Sequence, residues 1–232
     1  MKLPSALRSR KVVLLAYLAA IHGALGIALI GPSVAQHLTV PTIPEEESII
    51  PRLREVHAQM DASVPAGAAV FLGDSITMAL ATAAVEPRAV NYGIGWQRSD
   101  QLLVSMKGYG SLQRAGRVFV MIGTNDLLQG REAGIGERYR AILSTIPAGI
   151  PVVMSSPPPI GPITFYGVHK VEDAAVRQAG IEARAACAAD PRCRFVDTYS
   201  LLKGTEGALL PDQIHLAPPG YTLWIRALKG LS

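Results

Sequence analysis

From residue 51 onward, short apolar runs alternate with longer stretches of helical spacing. The apolar runs fall at 68–72, 88–92, 117–122, 152–155 and 194–196, each bounded by Gly, Pro, Asn or Asp, and they predict five strands. Residues 76–84, 99–106, 132–146, 168–189 and 219–228 carry apolar positions three and four apart and predict helices. A short helix should precede the first strand, with Leu53, Val56 and Met60 on one face and Pro51 tolerated at its start. Such alternation implies βαβ crossovers, and strands that are continuously apolar fit a parallel sheet covered on both faces. The fold class expected is α/β, with a parallel sheet of about five strands. Ligands of such sheets bind beyond the carboxyl ends of the strands, so the residues following each strand are the ones to inspect.

Upstream the pattern changes. Residues 12–30 (VVLLAYLAAIHGALGIALI) contain no Asp, Glu, Lys or Arg, follow Lys2, Arg8, Arg10 and Lys11, and are closed by Gly31-Pro32. As a helix this run would extend roughly 28 Å, close to the hydrocarbon thickness of a bilayer, with the basic residues kept in the cytoplasm. The small residues Ser33 and Ala35 before Gln36 also fit a signal-peptidase site, but the apolar run is longer than a secretory signal usually needs. The expectation is a retained single-pass anchor over 1–35 with the rest of the chain outside the cytoplasm, and a secreted protein is the alternative. Residues 36–50 read as a Pro-punctuated spacer, and 51–232 as the globular domain.

Composition narrows the function classes. The 232 residues are 49% apolar and only 17% charged, which suits one compact domain and neither a disordered chain nor a coiled coil. The net charge of +4 would suggest a nucleic-acid partner, but the four basic residues before position 35 account for it. Setting those four aside from 22 leaves 18 basic side chains against 18 acidic ones, and no basic run with aromatics follows. Nucleic acid is therefore not an expected partner. The two cysteines, Cys187 and Cys193, flank a turn-forming Asp-Pro-Arg and can form a local disulfide in an exported protein, or remain free thiols. Two cysteines alone make a poor metal site.

Four fragments stand at the predicted strand ends or before the last helix: Gly73-Asp74-Ser75-Ile76-Thr77, Asn91-Tyr92-Gly93-Ile94-Gly95-Trp96, Gly123-Thr124-Asn125-Asp126, and Asp212-Gln213-Ile214-His215. In this order they resemble the four blocks of the SGNH hydrolases, also called the GDSL esterase/lipase family, over roughly residues 68–228. That resemblance implies a three-layer α/β/α sandwich with a flavodoxin-like sheet, and a serine ester hydrolase acting on an O-acyl or acetyl ester. Small-molecule, glycan and lipid esters are all possible substrates. Neither metal nor organic cofactor is implied. The membrane would be contacted through the N-terminal segment only. Acyl transfer to a sugar hydroxyl by the same residues, and a non-catalytic glycan-binding module of the same fold, are the alternatives.

The residue chemistry agrees with this assignment. A serine hydroxyl needs a base to become nucleophilic, and His215 is the one histidine with a carboxylate three positions before it at the far end of the fold. Ser75 is the candidate nucleophile and His215 the base. Asp212 would fix the imidazole tautomer and stabilise the imidazolium. His37 and His57 precede the motif-bearing part of the chain, and His169 follows a Pro-rich loop. By resemblance, the oxyanion hole combines the N–H of Ser75, an N–H of the second block and the side-chain amide of Asn125. Many relatives have glycine where this chain has Trp96. Trp96 can donate if its backbone does not require a positive φ, its indole then walling the pocket; otherwise the loop shifts and Gly95 donates. Asp74 and Asn91 read as braces of their turns. The segment 155–162, with Phe165 and Tyr166, is expected to border the substrate pocket.

Overall fold

The computed structural model describes residues 49–162 and 170–231. The apolar run 12–30 and the residues Phe165, Tyr166 and His169 lie outside this set. Among the described residues no helix is long and apolar enough to cross a membrane.

Five strands form one sheet: β1 (Ala69–Gly73), β2 (Ala89–Gly93), β3 (Arg117–Met121), β4 (Val152–Ser155) and β5 (Cys193–Val196). All pairings are parallel, in the order β2-β1-β3-β4-β5. Strand order thus reverses beside β1, and the crevice between the carboxyl ends of β1 and β3 is the topological switch point where such sheets bind ligands. The fold is the expected α/β sandwich. The helices are α1 (Ile49–Asp61), α2 (Ser75–Met78), α3 (Ser99–Met106), α4 (Thr124–Leu128), α5 (Ile135–Thr145), α6 (Asp173–Ala188), α7 (Thr198–Leu202) and α8 (Pro218–Lys229).

Alternate residues of the continuously apolar strands feed two separate cores, as the period of two demands. Val70, Leu72, Val118, Val120, Val152 and Met154 pack with Leu102, Tyr139, Ile142 and Val176 of α3, α5 and α6. Phe71, Phe119, Met121 and Val153 face the other way, against Ile76 and against Trp224 and Leu228 of α8. Phe71 and Phe119 stack with centroids 4.3 Å apart. Helix α8 runs from the site edge to the opposite edge, where Arg117 donates to the carbonyl of Leu231 at 2.7 Å.

Four sequence expectations are corrected. The stretch 76–84 is not one helix: α2 ends at Met78 and a separate 3-10 turn covers Thr82–Ala84. The predicted helix 132–146 begins at Ile135, because Gly134 takes a left-handed conformation at its start. Helix α6 begins at Asp173 rather than near 168. Helix α1 starts inside the supposed spacer and buries Ile50, His57 and Asp61, while Val56 and Met60 of the predicted apolar face are exposed. The inward face is polar because Asp61 has partners there: Tyr92 Oη donates to it at 2.8 Å and the N–H of Ser111 at 2.9 Å. His57 therefore belongs to the packed domain, its ring centroid 5.2 Å from that of Tyr92.

Cys187 and Cys193 are joined by a disulfide that ties the end of α6 to the start of β5.

Candidate active site

β1 ends in Gly73, and Asp74 then caps a single-turn helix whose first residue is Ser75. Asp74 accepts the N–H of Ile76 at 3.0 Å. A Cβ on Gly73 would sit 2.2 Å from the Met121 carbonyl of β3, and one on Gly93 would sit 2.3 Å from Met78 N, so the turn after β1 can pack against β3 and against β2 only with glycine at these two places. Asn91 braces this junction as expected, donating to the carbonyls of Thr77 and Leu80 and accepting the N–H of Gly93. Tyr221 of α8 adds a hydrogen bond to the Ile76 carbonyl at 2.8 Å.

His215 is brought to Ser75 from 140 positions away: Nε2 lies 2.9 Å from Ser75 Oγ. Its Nδ1 lies 2.7 Å from Asp212 Oδ2. The other Asp212 oxygen accepts the N–H groups of Ile214 and His215, both at 3.0 Å. Burial pushes the Asp212 carboxyl up, but these N–H bonds and the imidazole outweigh it and leave the group below the usual carboxylate range. An ionised Asp212 places the imidazole proton on Nδ1, which frees Nε2 to accept from the serine hydroxyl. The loop is closed by Leu210 N–H donating to the His215 carbonyl at 2.8 Å.

The segment after β4 lies beneath this loop rather than at a rim. Residues 156–160 are buried, and Gly161 N–H donates to the carbonyl of Gln213 at 2.9 Å. Ser155 Oγ accepts the indole N–H of Trp224, and Ser156 Oγ accepts Tyr199 N–H, so both serines also brace the fold.

On the opposite side of Ser75 the β2 loop makes a tight turn in which Gln97 N–H donates to the Ile94 carbonyl at 3.2 Å. Trp96, third in that turn, has φ +65°, whereas Gly95 is not left-handed. This is the type II arrangement, whose third residue is normally glycine. The condition for an unstrained tryptophan is therefore not met, and the conformation costs about 1 kcal/mol. Neither the Gly95 nor the Trp96 N–H has an acceptor among the described residues. A Cβ on Gly95 would stand 3.9 Å from Ser75 Cβ, and the side chains of Trp96 and Met78 are both about half exposed.

Asn125, at the start of α4 after β3, is buried and donates one amide hydrogen to the Gln97 carbonyl at 3.1 Å. The second amide hydrogen is left over. The structure thus brings Ser75, Gly95, Trp96, Asn125, Asp212 and His215 to the switch-point edge; Phe165 and Tyr166 are outside the described residues. Sequence reasoning missed the supports. Gln97 is fully buried, and Asp126 accepts both the N–H of Ser99, at 2.9 Å, and its hydroxyl, at 2.5 Å. Arg138 joins that pair, donating to Ser99 Oγ at 2.7 Å. Polar residues beside loop glycines carry no burial signal of their own, and only the Asn-Asp adjacency pointed here.

A model of the GDSL-like lipase/acylhydrolase family matches residues 71–223, which contain all four blocks. The chain belongs to this family. As a GDSL-like acylhydrolase it is a carboxylic ester hydrolase. No curated protein matches it. Solved structures similar to it share the fold at low identity. A Streptococcus pneumonia protein described as a candidate platelet activating factor has TM-score 0.67 and 18% identity, covering 90% of this chain and 98% of its own. A GDSL-like lipase from Bacteroides thetaiotaomicron has TM-score 0.62 and 18% identity, over 77% and 96%. Axe2, an acetylxylan esterase from Geobacillus stearothermophilus, has TM-score 0.57 and 20% identity, over 71% and 93%.

Proposed function

We propose that this GDSL-like enzyme hydrolyses O-acetyl or other short O-acyl esters carried on saccharides, through an acyl-enzyme on Ser75 and outside the cytoplasmic membrane. The observation that carries the reading is the chain from Asp212 through His215 to Ser75 Oγ, with links of 2.7 and 2.9 Å. Ser75 Oγ attacks the ester carbonyl as Nε2 of His215 takes its proton. The oxyanion that forms is held by the N–H of Ser75, the free amide hydrogen of Asn125 and an N–H of the β2 turn, that of Gly95 or of Trp96. The imidazolium then gives its proton to the departing alkoxide, and water, deprotonated by His215, releases the acid.

The half-exposed indole of Trp96 supports a saccharide carrier, since it offers a flat aromatic surface one residue beyond Gly95, whose open side faces Ser75. The acetylxylan esterase among the similar folds points the same way. An extracytoplasmic location is supported by the uncharged run 12–30 and by the disulfide, which is common in oxidising compartments.

The test is mass spectrometry of the full chain after exposure to a serine-directed phosphonate. A single adduct on Ser75 that is lost in Ser75→Ala and forms slowly in His215→Ala is expected. Absence of an adduct on folded protein would overturn the acyl-enzyme reading.

A further inference from the structure

The amide of Asn125 is aimed by a residue with no direct role in the chemistry. Its acceptor is the Gln97 carbonyl, and Gln97 also closes the turn that carries Gly95 and Trp96. The position of this one residue's backbone therefore sets two of the proposed oxyanion donors. The side chain of Gln97 anchors this backbone: it is fully buried, and its Oε1 lies 3.0 Å from Ser105 Oγ on α3, a hydroxyl it shares with the Gln101 carbonyl, also at 3.0 Å. Ser105 Oγ in turn accepts from Arg54 Nε at 2.9 Å, while Arg54 Nη2 donates to the Gln101 carbonyl at 3.1 Å. Arg54 is on α1. A continuous run of hydrogen bonds thus connects the amino-terminal helix, through α3, to the oxyanion site, and each link is at least partly buried, where such bonds are strengthened by the low local dielectric. A Gln in a surface turn would need none of this, nor an arginine of α1 forked between a serine hydroxyl and a main-chain carbonyl of α3.

We infer that Gln97 is a positioning residue for the oxyanion hole, and that Arg54 of α1, acting through Ser105, keeps it in place. This rests on Ser75 and Asn125 acting as proposed above. The consequence is that α1, which precedes all four motif blocks, is part of the working enzyme.

The experiment compares Gln97→Met, Arg54→Met and Asn125→Ala, singly and with Asn125→Ala combined with each of the others, together with Ser75→Ala. Each folded variant is assayed for kcat and KM on an aryl acetate, and for inhibition by an aryl trifluoromethyl ketone, whose serine adduct carries the oxyanion. Gln97→Met should lower kcat about tenfold and weaken the ketone by a similar factor, with KM within about twofold. Arg54→Met, at the periphery, should show the same pattern at about threefold, and it carries the test if Gln97→Met does not fold. On the Asn125→Ala background both losses should shrink, because the part that acts through the Asn125 amide is already gone and only the part that acts through the β2-turn N–H remains. Unchanged kcat in both variants, a loss confined to KM, or full losses persisting without Asn125 would each overturn the inference. An active Ser75→Ala would instead overturn the catalytic reading itself. An inactive Ser75→Ala with impaired Asn125→Ala and normal Gln97→Met and Arg54→Met would overturn the inference alone.

Discussion

The imidazole of His215 stands between Ser75 and Asp212, 2.9 Å from the hydroxyl and 2.7 Å from the carboxylate, although 140 positions separate it from the serine. Asp212 also fixes the backbone of the loop, through the N–H groups of Ile214 and His215. Replacing Asp212 by Asn keeps an acceptor for those N–H groups but presents a neutral amide to Nδ1. The wrong tautomer is then favoured, and kcat on an aryl acetate should fall by about 10⁴ with a nearly unchanged melting temperature. Steady-state kinetics and thermal denaturation of the same preparation check both halves; a kcat within tenfold of wild type would remove Asp212 from the chemistry.

Trp96 gives a prediction that separates backbone from side chain. At φ +65° any residue with a Cβ is strained, so Trp96→Gly should be more stable than Trp96→Ala by about 1 kcal/mol in urea unfolding. Both variants should raise KM for an acetylated oligosaccharide and leave an aryl acetate nearly unaffected, because only the larger substrate reaches the indole. Equal KM for the oligosaccharide in wild type and variants would take the indole out of substrate binding.

Asp74 is fully buried, and burial pushes its carboxyl up to about 7, opposed by the Ile76 N–H and by His215. A raised carboxyl binds its proton more tightly in the folded state, so between about pH 4 and 7 its contribution to stability declines as pH rises. Asp74→Asn retains an acceptor for Ile76 and abolishes that decline. Urea unfolding at pH 4.5 and 8 should show the variant gaining on wild type at the higher pH. Asp212 titrates with the opposite sign, but in both proteins alike. Parallel behaviour of the two proteins would contradict a buried, proton-retaining Asp74.

The disulfide begins β5, at the edge of the sheet remote from Ser75. Changing both Cys187 and Cys193 to Ser should cost about 2 kcal/mol for so short a loop and leave kcat unaltered. Denaturant titration beside an ester assay distinguishes this from a role in the site, for which kcat would fall as well.

The five strands could be read from the sequence to within about one residue because each is mostly apolar and bounded by Gly, Pro, Asn or Asp, so pattern and punctuation agreed. Ser75, Asn125, Asp212 and His215 were readable because their blocks sit at strand ends or before the last helix, where the fold gathers ligand-binding groups. Helix α1 misled: its inward face holds His57 and Asp61, whose burial depends on Tyr92 and Tyr109 arriving from distant parts of the chain. The short helix α4 was hidden because its five residues, directly after Gly123, are too few to show helical periodicity. Gln97 was missed for a related reason. A glutamine after Gly95-Trp96 looks like solvated loop, and only the tertiary approach of Ser105 makes it an interior residue.

The hydrogen bond from Arg117 to Leu231 fixes the end of α8 at the edge of the sheet where the strands begin, whereas Ser75 and His215 lie where they finish. An enzyme grafted to a bead or an electrode through its carboxyl-terminal residues would therefore hold its reactive serine away from the support, open to polymeric esters too large to pass beneath the protein.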